Sequence, residues 1–309
     1  MRLVCYLVGK EKSPRVGVAR DDSDGAAILD LAAASRKLGK AAPPKGAGVK
    51  EIIALAAGPL GRLSKALKAL WSAIDADPKL GRSLLADRSR IRFLPPIPNP
   101  EKIICIGQNY IDHCREQNAP IPQSPIIFAK FPPALIGHGG SVRLPRISQK
   151  VDYEAELAFV IGKVGRHIPV ESALDHVAGY MPLNDVSARD LQFSDGQWVR
   201  GKSCETFAPC GPALVTRDDV PDPHALRIGL TLNGRSMQDS NTSNLIFKIP
   251  FLVHFLSQVF TLKPGDIVTT GTPPGVGCFR KPPVFLREGD TMTVWIDGLG
   301  RLTNKVVLD

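Results

Sequence analysis

Four prolines fall within the eight residues Phe93–Pro100 (FLPPIPNP). No helix survives such a run, because each proline removes an amide donor and crowds the carbonyl four residues back. The stretch also divides the chain by periodicity. Before it, residues 49–57 (VKEIIALAA) and 61–73 (GRLSKALKALWSA) repeat apolar positions at three and four, which predicts two amphipathic helices. Ahead of those, residues 1 to about 31 alternate apolar and polar with Gly and Asp at the breaks, the pattern of a small strand-and-hairpin unit. Beyond the prolines short β-type runs dominate: KIICIG, SPIIFAKF, ELAFVIGKVG, LRIGLTLNG, GDIVTTG and TMTVWIDG. Helices are expected there only over residues 170–180 (VESALDHVAGY) and 249–260 (IPFLVHFLSQVF). The reading is therefore an α+β, β-rich chain, with a small basic N-terminal α+β unit over residues 1–95 and a larger catalytic unit over 96–309.

Composition narrows the function. The net charge of +9 arises in the first hundred residues, where 18 Lys plus Arg face 9 Asp plus Glu; the remainder holds 21 of each. The cations are spread along helix-like stretches such as KALKAL, without interleaved aromatics or a recognition motif, so no nucleic-acid partner is expected. No apolar run approaches the roughly 18 residues of a membrane-spanning helix, so a soluble protein is expected. The opening MRLVCYLVGK lacks a long apolar region and cleavage site, which argues against secretion. Six cysteines are scattered with no CxxC spacing, which points to a reducing compartment and packing roles rather than to disulfides or zinc.

The chemistry lies in VDYEAELAFVIG (151–162). Period two sends Glu154 and Glu156 to one face of a strand, with Cα atoms about 6.5–7 Å apart. An E-x-E pair is ordinarily solvent-facing; here the apolar run Leu157–Ile161 implies burial instead. Two buried carboxylates repel and lose hydration, at a cost of several kcal/mol each unless compensated, and a divalent cation with oxygen ligands compensates them. Asp185, in PLNDVSARDLQ, is the third candidate ligand, though alone it reads equally as a turn or cap residue. His113 and Glu116, three apart in NYIDHCREQN, share a helical face and form a candidate acid/base pair, or simply a surface helix with a satisfied histidine. Lys202 sits among small residues in VRGKSCETFAPCGP. GTPPGVG (271–277) offers backbone N–H groups to an anion but lacks the P-loop lysine and spacing, so a plain turn serves as well.

In this order, GQNYIDHCREQ, DYEAELAFVIG, NDVSARDLQ, GK before FAPCGP, and GDIVTTGTPPGVG resemble the fumarylacetoacetate hydrolase superfamily, over about residues 100–308. The resemblance implies a mixed β-sandwich or roll, a homodimer, and a Mg²⁺ or Mn²⁺ ion (Ca²⁺ as a substitute) on Glu154, Glu156 and Asp185. It places a lid dyad on His113 and Glu116, a catalytic and substrate-binding lysine on Lys202, and substrate contacts on Arg189, Gln192 and Thr272. Three positions depart from the pattern: Gln108 replaces a small or apolar residue and has the length to reach a pocket there, Cys210 replaces Leu, and Glu205 replaces Asp.

The substrates implied are oxaloacetate-like 2-keto acids whose C1 carboxylate and C2 oxygen chelate a metal that stabilises an enolate. Keto–enol interconversion of oxaloacetate is the reading adopted. C–C hydrolysis of acylpyruvates and oxaloacetate decarboxylation are its rivals, and a catalytically silent scaffold is the alternative of another class. The compartment expected is the mitochondrial matrix or the cytoplasm, the former favoured by resemblance.

Overall fold

The computed structural model describes the chain except residues 24, 40–47, 56–59 and 195. The run AELAFVI, read as a buried strand, forms the strand Ala155–Ile161, in which every residue is buried. Continuous rather than alternating burial marks a strand covered on both faces. Leu157, Phe159 and Ile161 pack toward one apolar cluster, and Ala158 and Val160 toward another.

This strand lies inside a ten-stranded mixed sheet. In chain order its members are β1 (Arg2–Val8), β2 (Arg15–Ala19), β3 (Ile28–Asp30), β4 (Ile91–Phe93), β5 (Ile103–Gly107) and β6 (Ile126–Lys130). After β7 (Ser141–Leu144), which belongs elsewhere, come β8 (Ala155–Ile161), β9 (Val177–Asn184) and β10 (Ala213–Thr216), and, beyond β11 (Arg227–Leu232) and β12 (Arg235–Asn241), β13 (Ile267–Thr269). The order across the sheet is β3-β2-β1-β10-β9-β8-β13-β5-β6, with β4 also on β1. Only the β13–β5 pair is parallel. A second sheet stacks β12-β11-β14-β15-β7, with β14 (Thr291–Ile296) and β15 (Gly300–Leu308). Leu230, Val294 and Leu302 of this sheet join Leu157 and Phe159 in one core.

The N-terminal hairpin enters the main sheet through β1 on β10, with Leu3 opposite Leu214. Its helices α1 (Leu31–Lys37), α2 (Val49–Leu55), α3 (Leu60–Ala76) and α4 (Pro78–Leu84) lie on the same side as the cluster holding Leu67, Ile74, Ala158 and Met181. Asp30 and Asp77 cap α1 and α4, each carboxylate accepting a first-turn amide.

The helix expected over residues 170–180 does not form. Val170–His176 is a 3₁₀ segment, and VAGY begins β9, where Gly179 pairs with Val160. A Cβ on Gly179 would lie 2.2 Å from the Val215 carbonyl oxygen, so the close approach of β10 selects glycine in a strand there. Long-range pairing overrides a local periodicity that favours helix. The helix expected over 249–260 is present as α8 (Ile249–Val259), numbered after the short α5 (Ile111–Glu116), α6 (Arg189–Gln192) and α7 (Val199–Lys202).

Candidate active site

Glu154 immediately precedes the central strand and Glu156 is its second residue. The next strand delivers Asp185: β9 pairs antiparallel with β8, Ala155 opposite Asn184, so Asp185 follows immediately and its amide donates to the Glu154 carbonyl (2.9 Å). The three acids are buried and each offers an oxygen within 4.8 Å of the others. Around an octahedral ion with bonds of about 2.1 Å, cis oxygens lie about 3 Å and trans oxygens about 4.2 Å apart, so three oxygens within 4.8 Å of one another converge on one ion after a small side-chain movement.

The acids are not alone. Lys202 Nζ donates to Glu154 Oε2 (2.7 Å) and Asp185 Oδ2 (2.8 Å), a cation already seated among the carboxylates. Lys130 Nζ donates to Asp185 Oδ1 (2.5 Å) and the Val186 carbonyl (3.1 Å). Arg189 pairs with Asp152 (2.8 Å) and Glu154 (2.7 Å), and its Nη1 donates to Gln192 Oε1 (3.0 Å). Four acids thus face three cations. Burial, then Asp185 and Glu154, push Glu156 well above the usual carboxylate range. Burial acts on Glu154 in the same direction, but Lys202 and Arg189 outweigh it and hold that group below its ordinary value. Burial would lower Lys202; Asp185 and Glu154 overcome it, so the ammonium stays protonated.

Asp152 and Lys130 were not singled out in the sequence. SPIIFAKF reads as a strand ending in a surface lysine, yet Lys130 is 2% exposed. The signal available was a lysine closing an apolar alternation. Nothing in the sequence paired it with Asp185, 55 residues away.

The glycine-rich loop after β13 resolves the choice left open in the sequence. Its amides do meet anions, and the anions are the chain's own acids. Gly271 N donates to Glu156 Oε2 (2.9 Å), Gly275 N to Glu116 Oε1 (2.8 Å), and Gly277 N and Cys278 N to the two oxygens of Asp152 (2.7 and 3.0 Å). Glycine is required: a Cβ on Gly275 would fall 2.1 Å from Met237 O, and one on Gly277 1.9 Å from Val284 O. Thr272 lies in the same loop, donating to Ala155 O (2.9 Å) and accepting from Gln238 Nε2 (2.9 Å).

The other oxygen of Glu116 meets His113 Nδ1 at 2.9 Å, so His113 and Glu116 do share a face of α5. A carboxylate on Nδ1 fixes the proton there and leaves Nε2 as the basic nitrogen. The start of α5 is sewn down: Asp112 accepts from Ser240 Oγ (2.6 Å) and Asn244 Nδ2 (3.0 Å), while Asn109 Nδ2 donates to the Thr270 carbonyl (2.9 Å).

His113, Glu154, Glu156, Arg189, Gln192, Lys202 and Thr272 all line one cleft of about 480 Å³, with Asp185 and Glu116 directly behind it. Phe128, Trp198 and Phe279 form apolar walls. Trp198 rests on Gly107, where a Cβ would meet its ring at 2.4 Å. Glu205 lies away from the lining and pairs with Arg143, and Cys210 is a buried thiol of the second core cluster. Among the described residues no helix is long and apolar enough to cross a membrane.

Residues 102–307 match the profile of the fumarylacetoacetate (FAA) hydrolase C-terminal family. The chain is 47% identical over 309 residues to the mitochondrial oxaloacetate tautomerase fahd2 of Xenopus laevis, covering 99% of this chain and 90% of that protein. It is 52% identical over 222 residues to the human mitochondrial oxaloacetate tautomerase FAHD2A, 71% of each chain. Among solved structures, a fumarylacetoacetate hydrolase from Exiguobacterium antarcticum superposes over all of both chains with a TM-score of 0.78 at 30% identity. A maleylpyruvate hydrolase from Sphingobium sp. SYK-6 does so with a TM-score of 0.73 at 32% identity.

Proposed function

The chain belongs to the fumarylacetoacetate hydrolase family, and from that premise we propose that it is an oxaloacetate tautomerase, interconverting the enol and keto forms. The observation that carries the reading is the convergence of a buried triad of acids and a carboxylate-oriented histidine on one cleft, in a chain about half identical to proteins of that name.

Glu154, Glu156 and Asp185 would hold a divalent ion, Mg²⁺ or Mn²⁺, on hard oxygen donors. Bound there, it supplies Lewis acidity toward the substrate's C1 carboxylate and C2 oxygen. The remaining steps belong to the chain's own groups. With Glu156 ionised, the four acids exceed the three cations by one charge, so a doubly charged ion leaves the site positive by one, suited to an anionic substrate. Arg189 and Lys202 orient the C1 carboxylate. His113 Nε2 takes the C3 proton as the keto form becomes the enol, and returns it in the reverse direction. Glu116 keeps the imidazole in that tautomer and stabilises its charged form, as Gly275 N–H in turn holds Glu116. The aromatic walls limit water at C3.

A homodimer in the mitochondrial matrix is part of the same proposal. The edge strand β6 exposes Ile127, followed by Phe131, and the two oxaloacetate tautomerases named above are mitochondrial.

The test follows decay of enol-oxaloacetate absorbance with and without Mn²⁺, beside cleavage of acetylpyruvate and release of CO₂ from oxaloacetate. Ketonisation that depends on the ion and is lost in His113→Gln is expected. Rapid cleavage or decarboxylation without any acceleration of ketonisation would replace the proposal with a hydrolase or decarboxylase.

A further inference from the structure

Polar side chains on the acid-bearing side of the cleft each have a partner within the protein: Arg189 has Asp152, Glu154 and Gln192, Lys202 has Glu154 and Asp185, and Thr272 has the Ala155 carbonyl and Gln238. Two other lining residues differ. Gln108 and Gln117 both line the cleft, are half-buried, and make no side-chain hydrogen bond to any described residue. They flank α5, Gln108 three residues before it and Gln117 as its C-cap, so they bracket His113 from both ends.

Gln108 is further marked by its backbone. Its φ is +49°, a left-handed conformation that a side chain adopts at an energetic penalty. Its neighbours enforce it: Gly107 lies under Trp198, and Asn109 is bonded to Phe247 and Thr270. Strain kept at a cleft residue whose amide has no internal partner directs attention to a ligand.

We propose that Gln108 and Gln117 form the subsite for the distal carboxylate of a four-carbon 2-keto diacid, so that the enzyme selects diacids over keto acids ending in an apolar acyl group. The inference rests on the tautomerase reading and extends it to specificity. Two neutral amides can each donate an N–H to a carboxylate without adding a charge that would trap it. An apolar acyl terminus leaves both amides without a partner, and a site built to hydrogen-bond a group rejects analogues lacking it. Because the two glutamines bracket α5, the distal carboxylate also clamps the helix that carries His113 and spends binding energy on placing the base.

The experiment measures kcat/KM for enol-oxaloacetate and the inhibition constant of oxalate in Mn²⁺-loaded Gln108→Met, Gln117→Met and Gln108→Glu. Oxalate has no distal group and reports the acid-bearing side alone. Each methionine variant is expected to lose about tenfold in kcat/KM, consistent with removal of one hydrogen bond to a charged group. Gln108→Glu, nearly isosteric but repulsive, is expected to lose more, with oxalate inhibition within about twofold of wild type throughout. Unchanged kcat/KM in both methionine variants, or oxalate inhibition weakening in step with activity, would overturn the subsite. Wild-type protein that binds oxalate yet fails to tautomerise oxaloacetate would instead remove the reading beneath it, and the inference with it.

Discussion

Filling the acidic triad with a divalent ion should release a proton, and that proton comes from Glu156. The side chain is 1% exposed, and burial together with Asp185 and Glu154 raises its pKa well above the carboxylate range. In the metal-free protein burial and the two neighbouring acids favour the protonated form of Glu156, which also balances the remaining three acids against Lys130, Arg189 and Lys202. Only the carboxylate ligates, so each ion bound at a pH below the folded pKa of Glu156 displaces close to one proton. Below the folded pKa, affinity should then rise tenfold per pH unit, or about 1.36 kcal/mol per unit. The sign for stability follows from the same shift. A carboxyl whose folded pKa lies above its unfolded value gives stability present below the unfolded pKa and lost as pH rises through the folded one, and bound metal cancels that loss. Calorimetric Mn²⁺ titration in buffers of contrasting ionisation enthalpy counts the protons. At a pH below the folded pKa about one is expected, none from Glu156→Gln, and more than one from Lys202→Met, because Lys202 is what holds buried Glu154 below its ordinary value. Tight binding with no proton release, or release that persists in Glu156→Gln, would refute the argument.

Other outcomes follow from contacts. Lys130→Met leaves Asp185 Oδ1 and the Val186 carbonyl without their buried donor, so a loss of about 3 kcal/mol in metal-free stability is expected from denaturant unfolding, as for breaking a buried ion pair. A loss under about 1 kcal/mol would show Lys130 to be dispensable to the fold. Gly201→Ala places a Cβ 2.5 Å from Gln192 N and 2.7 Å from Ala188 O, wedging apart the turn that carries Arg189, Gln192 and Lys202. Ketonisation should fall at least tenfold with about 1–3 kcal/mol of destabilisation from overpacking, and wild-type kinetics would contradict it.

Much of the fold and site was legible because it is encoded by local pattern. A strand buried on both faces must be apolar throughout, so Glu154 and Glu156 stood out against Leu157–Ile161. The i,i+3 spacing of His113 and Glu116 likewise needs only one helical turn. These motifs and the alternation of the β runs were fixed by residue order alone.

What the sequence left open depends on groups brought together from distant segments. VAGY became strand rather than helix because β8 and β10 flank it at backbone distance. Lys130 joined Asp185, Asp152 bound Arg189, and the amides of a plain-looking glycine loop turned toward three carboxylates, because a low-dielectric interior leaves a buried charge no solvent and obliges it to find a partner. Residue order determines which charges are buried; the packing of the chain determines which partner each one meets.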